Sequence, residues 1–380
     1  MSPDLHRTPS PERFEVVYRI KGGASAALTI ANDICVEQTV EFPIDLVPAE
    51  VPRERILGRI ETFETDDESG HRASISYATD TVGGELTQLL NVVYGNYSMK
   101  PGVRVERLNL PRSLLRSLVG PRFGSSGIRS LVGVPRRPLL CTALKPLGLP
   151  AAALADLAYR LAIGGVDVIK DDHGLADQAM ARFEERVARC IEAVERANRE
   201  TGRRCIYVPN VTAVGDVTIQ RARVAKSGGA GGILVAPGLA GFGMMAQLAA
   251  DKQIALPIMS HPAFLGSFVS SPDVGISPFA LFGQITRLAG ADATIFPNYG
   301  GRFSFSPDAC RDIAEGAMAP MDPIKPIFPT PGGGMAVSRV PEMLDFYGRD
   351  VILLVGGGLH QHGPDIVANC RAFRRLVDSA

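Results

Sequence analysis

The sequence predicts a two-domain α/β protein, in which a C-terminal eight-stranded β/α barrel follows a smaller α+β domain. From about residue 139 onward, short runs rich in Val, Ile and Leu recur eight times, each followed by a longer segment with helical spacing of its apolar residues. Polar or glycine residues end nearly all of these runs, as a ring of loops around one pocket requires. A doubly wound open sheet would show the same alternation, but no G-x-G-x-x-G follows the first run to mark a dinucleotide turn.

The eight runs are predicted to be the barrel strands. Their starts lie roughly 25 to 40 residues apart, which suits a strand, a helix and a return loop in a right-handed parallel unit. Two intervening segments, residues 151–163 and 179–197, have apolar residues at three- and four-residue steps and are predicted helices. The predicted strands are residues 139–145, 166–172, 204–210, 232–236, 256–261, 293–297, 323–330 and 351–355.

Residues 12–125 follow a different pattern and are predicted to form the smaller domain. Strand-like runs at 14–20, 37–42, 56–64 and 73–78, with helical runs at 24–35 and 86–91, indicate an α+β domain built on an antiparallel sheet. Residues 112–136 mix Gly, Ser, Pro and Arg and form the predicted crossing, so the barrel domain is placed at residues 126–380. Residues 1–11 are polar, contain proline and lack a signal-peptide core, and we expect a disordered tail there.

Composition excludes several function classes. The sequence has 40 Lys and Arg residues and 40 Asp and Glu residues, so its formal net charge is zero. It therefore has no excess positive charge that would attract nucleic acid or an acidic membrane surface. No apolar stretch is long enough for a transmembrane helix, and the six cysteines show no C-x-x-C pair, as is typical of reduced, buried thiols. We therefore expect a cytoplasmic protein without nucleic-acid or membrane partners.

The most informative cluster is Lys170-Asp171-Asp172-His173, at the end of the second predicted strand. Reaction sites in parallel α/β proteins form at the carboxyl ends of strands. Because side chains alternate along a strand, Lys170 and Asp172 share a face, whereas Asp171 points the other way and is better placed for a structural ion pair. Asp172 suits Mg²⁺ as an oxygen ligand, but an ammonium group is no ligand, so Lys170 would need conversion to an oxygen anion. The cluster predicts a metal site, toward which His173 can also turn.

Other predicted strands end in residues that suit acid–base chemistry or anion binding. Lys145 ends the first strand, where neighbouring charges can make it an acid or a base. His261 ends the fifth, where it is either a catalyst or a satisfied core group. Glycine triplets end the seventh and eighth, where successive N–H groups suit a phosphate, although tight turns also need glycine. The triplets are Gly332, Gly333 and Gly334, and Gly356, Gly357 and Gly358.

These residues, with Lys145-Pro146 and Tyr94-Gly95-Asn96, resemble the large chains of ribulose-bisphosphate carboxylase/oxygenase (RuBisCO), and more narrowly the form IV RuBisCO-like proteins that do not fix CO₂. The resemblance implies a ferredoxin-like N-terminal domain, a barrel and a head-to-tail homodimer whose small domain completes the partner's active site. It also implies Mg²⁺ held by a CO₂-derived carbamate on Lys170, with Asp172 and His173 as further ligands and Lys145 as the acid–base lysine. Glu37 and Asn96 match small-domain residues that reach across the dimer.

Departures from the carboxylase pattern indicate a different substrate. His173 stands where the carboxylases have a glutamate ligand, Pro262 stands where an arginine is expected, and Arg302 corresponds most nearly to the mobile-loop lysine. The glycine triplets that hold one phosphate remain, while the arginine that holds the other is lost, so a singly phosphorylated substrate is expected. Phe296 and Tyr299 are predicted to line the pocket for its less charged end.

The predicted reaction is formation of a metal-stabilised enolate or enediolate from a monophosphorylated keto sugar or keto acid. A second active-site lysine expected just after Lys145-Pro146 is missing, because the sequence continues directly to Leu147. With two base candidates lost, decarboxylation of the 3-oxo-isoapionate 4-phosphate type is favoured, because a leaving carboxylate needs an electron sink more than a strong base. The alternative is enolisation or isomerisation of a methylthio-pentulose phosphate, as in methionine salvage. A non-catalytic sugar-phosphate sensor and a Schiff-base aldolase are further rivals, and carboxylation itself is not expected.

Overall fold

The computed structural model describes residues 12–67, 70–303 and 305–379. The chain divides into two compact units, a barrel unit of Val119–Gly266 and Leu281–Ala380, and an N-terminal unit that runs to Leu118 and also contains Ser267–Ala280. The sequence pattern predicts a domain boundary at residue 125. It does not predict that Ser267–Ala280 belongs to the N-terminal unit. The tail predicted at residues 1–11 lies outside the described residues.

The secondary structure of the described residues alternates strands and helices through most of the chain. The strands are β1 Arg13–Lys21, β2 Arg59–Asp67, β3 Gly70–Ala78, β4 Val103–Asn109, β5 Leu139–Leu144, β6 Val168–Asp171, β7 Ile206–Val208, β8 Ile233–Val235, β9 Ile258–Ser260, β10 Gly275–Ile276, β11 Ala293–Pro297, β12 Phe328–Gly332 and β13 Ile352–Val355. The α-helices are α1 Ala24–Glu37, α2 Arg53–Ile56, α3 Leu86–Tyr94, α4 Arg112–Ser117, α5 Gly124–Val132, α6 Ala151–Ile163, α7 Phe183–Thr201, α8 Gly215–Gly228, α9 Pro237–Ala240, α10 Phe242–Ala250, α11 Gly266–Val269, α12 Thr286–Leu288, α13 Pro307–Met318, α14 Val340–Tyr347, α15 Gly357–Gln361 and α16 Ile366–Asp378. A π-helix spans Phe279–Ile285, and short 3₁₀ turns span Ile44–Leu46, Thr79–Thr81, Asn96–Met99 and Val337–Arg339.

The N-terminal unit contains a mixed sheet with strand order β10-β4-β1-β3-β2. β1 pairs antiparallel with β3 and β4, β2 pairs antiparallel with β3, and β10 adds in parallel to β4. Along β1 every second side chain is buried, from Phe14 to Ile20, because one face of the sheet packs against α1. The predicted α+β class of this domain is confirmed.

Two details of this unit differ from the sequence prediction. The strand predicted at 37–42 is wrong, because α1 continues to Glu37 and the backbone N–H groups of Val40 and Glu41 then turn back to the carbonyl of Val36. The helical capping turn satisfies those groups locally, so a strand partner is not needed. Conversely, β4 was not predicted, although its buried Val103 and Val105 alternate with charged residues in a strand pattern.

The barrel unit contains a parallel sheet of order β7-β6-β5-β13-β12-β11-β9-β8. A bridge between Asn210 and Leu234 joins the two outer strands and nearly closes the barrel. All eight predicted strands are present, so the predicted fold class is confirmed. The seventh starts at Phe328 instead of 323, because residues 321–324 form a tight turn in which the Ile324 N–H donates to the Met321 carbonyl. α6 has its predicted bounds, whereas α7 starts at Phe183, whose N–H is held by the Asp177 side chain.

The interior of the barrel is filled by alternate side chains of its strands. This apolar cluster packs against α5, which covers the amino-terminal end of the barrel. All six cysteines are free and buried. The strand residues of the cluster are Leu139, Cys141, Val168, Val208, Leu234, Met259, Ala293, Ile295, Phe328 and Ile352.

Candidate active site

The predicted strand-end residues continue the interior-facing rows of the barrel. Lys145 follows Leu139 and Cys141 at two-residue steps, Lys170 and Asp172 follow Val168, and His261 follows Met259. Because alternate side chains of a strand share a face, these groups lie on the inner side at the carboxyl ends, above the apolar layer. The apolar interior thus ends in a polar mouth.

Asp172 is the hub of the polar contacts in the mouth. Its Oδ1 lies 2.8 Å from the Lys145 Nζ and 3.3 Å from the His173 Nδ1. Burial opposes ionisation of the carboxyl, but hydrogen bonds from His173 and Lys145 outweigh it and lower the pKa of Asp172 well below its usual range. Asp172 is therefore an anion at neutral pH, and it is shared between a cation and an imidazole.

Lys170 is almost completely buried, with 2% of its surface exposed. Its Nζ donates a hydrogen bond to the backbone carbonyl of Asp171 at 3.1 Å. Burial lowers the pKa of the amine, and the like charge of Lys145 acts in the same direction. A buried lysine with a lowered pKa is a functional residue more often than a structural one, because a core position would favour an apolar side chain.

His261 stacks against His173, with ring centroids 4.3 Å apart and 18° between the planes. Its Nδ1 accepts a hydrogen bond from the backbone N–H of Ala263 at 3.1 Å, which places the proton of the neutral ring on Nε2. Burial and the nearby Lys170 ammonium lower the pKa of His261 to about 2. His261 is thus a neutral imidazole with one donor available at the mouth.

Asp171 faces the opposite side of β6 and is fully buried. Its Oδ2 accepts hydrogen bonds from the Arg186 Nε at 3.2 Å and the Asn210 N–H at 3.0 Å, and its Oδ1 from the Tyr207 hydroxyl at 2.6 Å. The structural ion pair predicted for Asp171 is therefore present, with α7 supplying the partner.

Asn210 is a site residue that the sequence marks only as a polar strand end. Its Nδ2 donates to the carbonyls of His173 and Leu175, at 3.0 and 2.9 Å. These bonds tie the loop after β6 to the end of β7 and so hold His173 beside Asp172. A polar residue at a strand end was the available signal, but its loop partners are distant in sequence.

The two glycine triplets end the neighbouring strands β12 and β13. Within the described part of the chain, the backbone N–H groups of Gly334 and Gly356 donate to no backbone carbonyl. A Cβ on Gly358 would lie 2.0 Å from the carbonyl oxygen of Met335, so only glycine fits between these two loops. The loops therefore present unpaired amide donors on a closely packed backbone.

The pocket role expected for Phe296 is not supported by its position. Phe296 is 1% exposed and lies on the face of β11 opposite the core residue Ile295, with its ring edge-on to Tyr347. Alternation along β11 therefore directs it to the helix layer. The Tyr299 hydroxyl donates to Glu342 at 2.9 Å, and Arg302 is exposed, with its guanidinium over the Phe303 ring.

Glu37 and Asn96 lie in the N-terminal unit. The Asn96 Nδ2 donates to the carboxylates of Glu37 at 3.1 Å and Glu41 at 2.9 Å. All three side chains line a cavity of about 480 Å³ within this unit. Because carboxylates only accept hydrogen bonds, both contacts orient the Asn96 amide with Nδ2 toward the carboxylates. The Asn96 Oδ1 then points away from them and can accept a hydrogen bond from another group.

Comparison with known proteins assigns the chain to a family. Residues 125–380 match the family described as the ribulose bisphosphate carboxylase large chain, catalytic domain. A 5-methylthioribulose-1-phosphate isomerase from Rhodospirillum rubrum is 38% identical over 370 residues, which are 97% of this chain and 97% of that relative. The chain belongs to the RuBisCO large-chain family. The RuBisCO-like proteins are among its most similar relatives.

The chain is also similar to a further enzyme of this family and to solved structures of family members. A 2,3-diketo-5-methylthiopentyl-1-phosphate enolase from Geobacillus kaustophilus is 34% identical over 306 residues, covering 80% of this chain and 74% of the enolase. The crystal structure of a RuBisCO-like protein from Rhodopseudomonas palustris superposes with a TM-score of 0.87 at 37% identity, covering 97% and 98% of the two chains. A dimeric archaeal RuBisCO from Hyperthermus butylicus gives a TM-score of 0.87 at 27% identity, covering 98% and 91%.

The mouth of this RuBisCO-like barrel fits a hard cation only with a modified lysine. Among the described residues, no group of three or more His, Cys, Asp or Glu side chains is arranged to hold a metal ion. Asp172 supplies a carboxylate and His173 an imidazole, so a further anionic oxygen is required. Only a neutral amine attacks CO₂, and burial lowers the pKa of Lys170, which favours that form.

In the part of the chain that the structure describes, no helix has the length and apolar character needed to span a membrane.

Proposed function

We propose that the protein catalyses proton transfer through an enolate of a monophosphorylated keto sugar, with a methylthio-pentulose phosphate as the substrate class. The observation that carries this proposal is the 38% identity with a 5-methylthioribulose-1-phosphate isomerase across 97% of both chains. The enolase from Geobacillus kaustophilus, also a family member, supports the same substrate class. These relatives favour proton transfer over the decarboxylation that the lost base candidates suggest.

The cofactor in this proposal is Mg²⁺, held by Asp172, His173 and a carbamate on Lys170. When bound, the cation would stabilise the negative charge that develops on the substrate oxygens. Two features support this assignment. Burial lowers the pKa of Lys170, and the anionic Asp172 lies on the same face of the chain as Lys170. If Lys170 becomes an anion, the positive charge that lowers the pKa of His261 is also removed.

Lys145 is the proposed acid–base group, and His261 is the proposed hydrogen-bond donor to a substrate oxygen. The Lys145 Nζ is ion-paired with Asp172, so it can give up or receive a proton beside a fixed carboxylate. The His261 Nε2–H is a neutral donor, which can stabilise an oxygen without delivering a full charge to it. In this proposal Lys145 moves the proton between the two carbons, while the neutral His261 donor stabilises the enolate oxygen.

Phosphate binding is assigned to the glycine loops after β12 and β13. Backbone N–H groups with no protein acceptor suit the oxygens of a phosphate monoester. Glu37 and Asn96 are proposed to complete the site from the partner chain of a homodimer, by resemblance to the family. Arg302 is proposed to cover the bound substrate from the loop after β11.

The deciding experiment separates proton transfer from decarboxylation and from a sensing role. Purified protein with Mg²⁺ and bicarbonate is incubated in D₂O with 5-methylthioribulose 1-phosphate, 2,3-diketo-5-methylthiopentyl 1-phosphate or 3-oxo-isoapionate 4-phosphate. We expect deuterium uptake and isomerisation or enolisation of a methylthio substrate without CO₂ release. CO₂ release from the sugar-acid phosphate, without exchange in the other two, would replace the proposal with decarboxylation.

A Lys170→Met variant tests whether turnover depends on the buried lysine. Loss of turnover with retained ligand binding is expected, because the phosphate loops are untouched. Lys226→Met is the matched control, since Lys226 is exposed on α8 and should leave the rate unchanged. Ligand binding without any turnover in the unmodified protein would instead indicate a sensor.

A further inference from the structure

Arg339 links the loop after β11 to the loop after β12. Its Nη1 donates to the carbonyl oxygen of Tyr299 at 3.3 Å and to that of Gly334 at 3.2 Å. Its Nε and Nη2 donate to the two carboxylate oxygens of Glu342, at 3.2 Å each. One guanidinium therefore satisfies backbone groups of two loops while a carboxylate fixes its plane.

The two loops touch backbone to backbone beneath this guanidinium. Gly334 has φ +66°, and a Cβ there would lie 3.0 Å from the Cα of Gly301 and 3.1 Å from the carbonyl oxygen of Gly300. No side chain fits between the loops, so packing of larger groups cannot fix the conformation of Gly334. Glycine has the least restricted backbone of all residues, and an external restraint has a correspondingly large effect on it.

An aromatic cluster fixes the guanidinium in turn. Arg339 lies over the Tyr299 ring at 5.3 Å, and the Tyr299 hydroxyl donates to the Glu342 Oε1 at 2.9 Å. The Tyr299 ring packs on Phe346 with centroids 4.9 Å apart. The side chain of Arg339 is 24% exposed, so these interactions are partly shielded from water.

We propose that Arg339 is a positioning residue for the phosphate group of the substrate. The inference rests on the proposed phosphate role of the glycine loops and deepens it. By holding the Gly334 carbonyl, Arg339 fixes the peptide plane that follows Gly334. It thereby restrains rotation about Gly334, whose own N–H donates to no backbone carbonyl among the described residues. Its loss should weaken binding of the phosphate, while Lys145, Lys170 and His261 stay in place.

The test compares Arg339→Met with Arg311→Met. Arg311 lies over the Phe346 ring of the same cluster at 5.0 Å and pairs with Asp308, but it makes no bond to the described residues of either loop. Isothermal titration with inorganic phosphate should show about tenfold weaker binding to Arg339→Met, because its charge-assisted hydrogen bonds are lost. For Arg311→Met the affinity should change by less than about twofold. With 5-methylthioribulose 1-phosphate, KM should rise about tenfold while kcat stays within about threefold.

Two further variants keep the test decisive if Arg339→Met does not fold. Glu342→Gln frees the guanidinium and should weaken phosphate binding about threefold, and Arg339→Lys should recover part of the affinity lost in Arg339→Met. Unchanged phosphate affinity in folded Arg339 variants, a lower kcat at constant KM, or no phosphate binding by the unmodified protein would overturn the inference. Phosphate binding that depends on Arg339, in a protein that does not turn over the isomerase substrate, would support the positioning role and reject the reaction.

Discussion

Two neighbouring carboxylates at the end of β6 have opposite roles because they point in opposite directions. Asp171 is fully buried on the helix side with Arg186, whose side chain is also 0% exposed. Asp172 lies on the barrel side, where its partners Lys145 and His173 are about half-exposed. Burial therefore makes the first pair a structural element, while the second remains accessible to a ligand.

The variants Asp171→Asn and Asp172→Asn should separate stability from activity. Asp171→Asn leaves a buried guanidinium unpaired and should lower the free energy of unfolding by about 3–5 kcal/mol. Asp172→Asn should change it by less than about 1 kcal/mol, because its ion pair is partly exposed. The same change should lower kcat at least about a hundredfold, since it removes a proposed metal ligand. Urea denaturation measures the stability of the two variants, and initial rates measure their activity. Equal losses of stability would refute the division into a structural Asp171 and a functional Asp172.

At the scale of elements, a single carboxylate joins three segments at the amino-terminal end of the barrel. Asp292 immediately precedes β11 and is 1% exposed. Its Oδ1 accepts the N–H groups of Phe123 and Gly124 at the start of α5, and its Oδ2 accepts that of Ile258 at the start of β9. The covering helix is thereby fixed to the barrel by backbone groups that would otherwise lack partners.

This carboxylate should make stability depend on pH. Burial, opposed by the three N–H groups, raises the pKa of Asp292 from 3.8 to about 6. The folded state therefore binds the proton more tightly than the unfolded state, and the contribution of Asp292 is greatest below pH 4 and is lost as pH rises through 6. Relative to Asp292→Asn, the unfolding free energy of the unmodified protein should fall by about 2.4 kcal/mol between pH 4 and pH 7.

Urea denaturation of both proteins at several pH values measures this difference, in which the other titrating groups cancel. A difference that is constant with pH would show that Asp292 keeps its ordinary pKa.

At the scale of the whole molecule, the proposed site draws on both compact units. The lysines and Asp172 lie in the barrel unit, whereas Glu37 and Asn96 lie in the N-terminal unit. In the proposed homodimer, the N-terminal unit of one chain would complete the barrel of the other. Each two-fold symmetric dimer then contains two equivalent composite sites.

Hybrid dimers test this shared site. Asn96→Ala and Lys170→Met should each be inactive as homodimers. If the sites are shared, a heterodimer purified through two different affinity tags contains one intact site and should show about half of the activity per dimer of the unmodified protein. Sites built within one chain would both be defective, and the heterodimer would stay inactive.

The accuracy of the sequence prediction depended on how local the determining interactions are. The eight barrel strands were predictable because each strand and each helix carries its own apolar periodicity. β4 carries a local pattern too, because Val103 and Val105 alternate with charged residues, and the prediction missed it despite that signal. Phe296 was assigned to the pocket by chemistry alone, and Arg339 gave no signal, because both loops it joins are brought to it by folding.

The sequence by itself determined the fold class, the family and the charged residues at the strand ends, because these follow from short-range patterns. Only the tertiary structure decided that Lys170 is buried, which side chains Asp171 and Asp172 contact, and that glycine amides after two neighbouring strands donate to no backbone carbonyl. Burial and hydrogen bonding depend on which distant segments pack together. That packing converts four adjacent polar residues into one structural ion pair and one candidate catalytic centre.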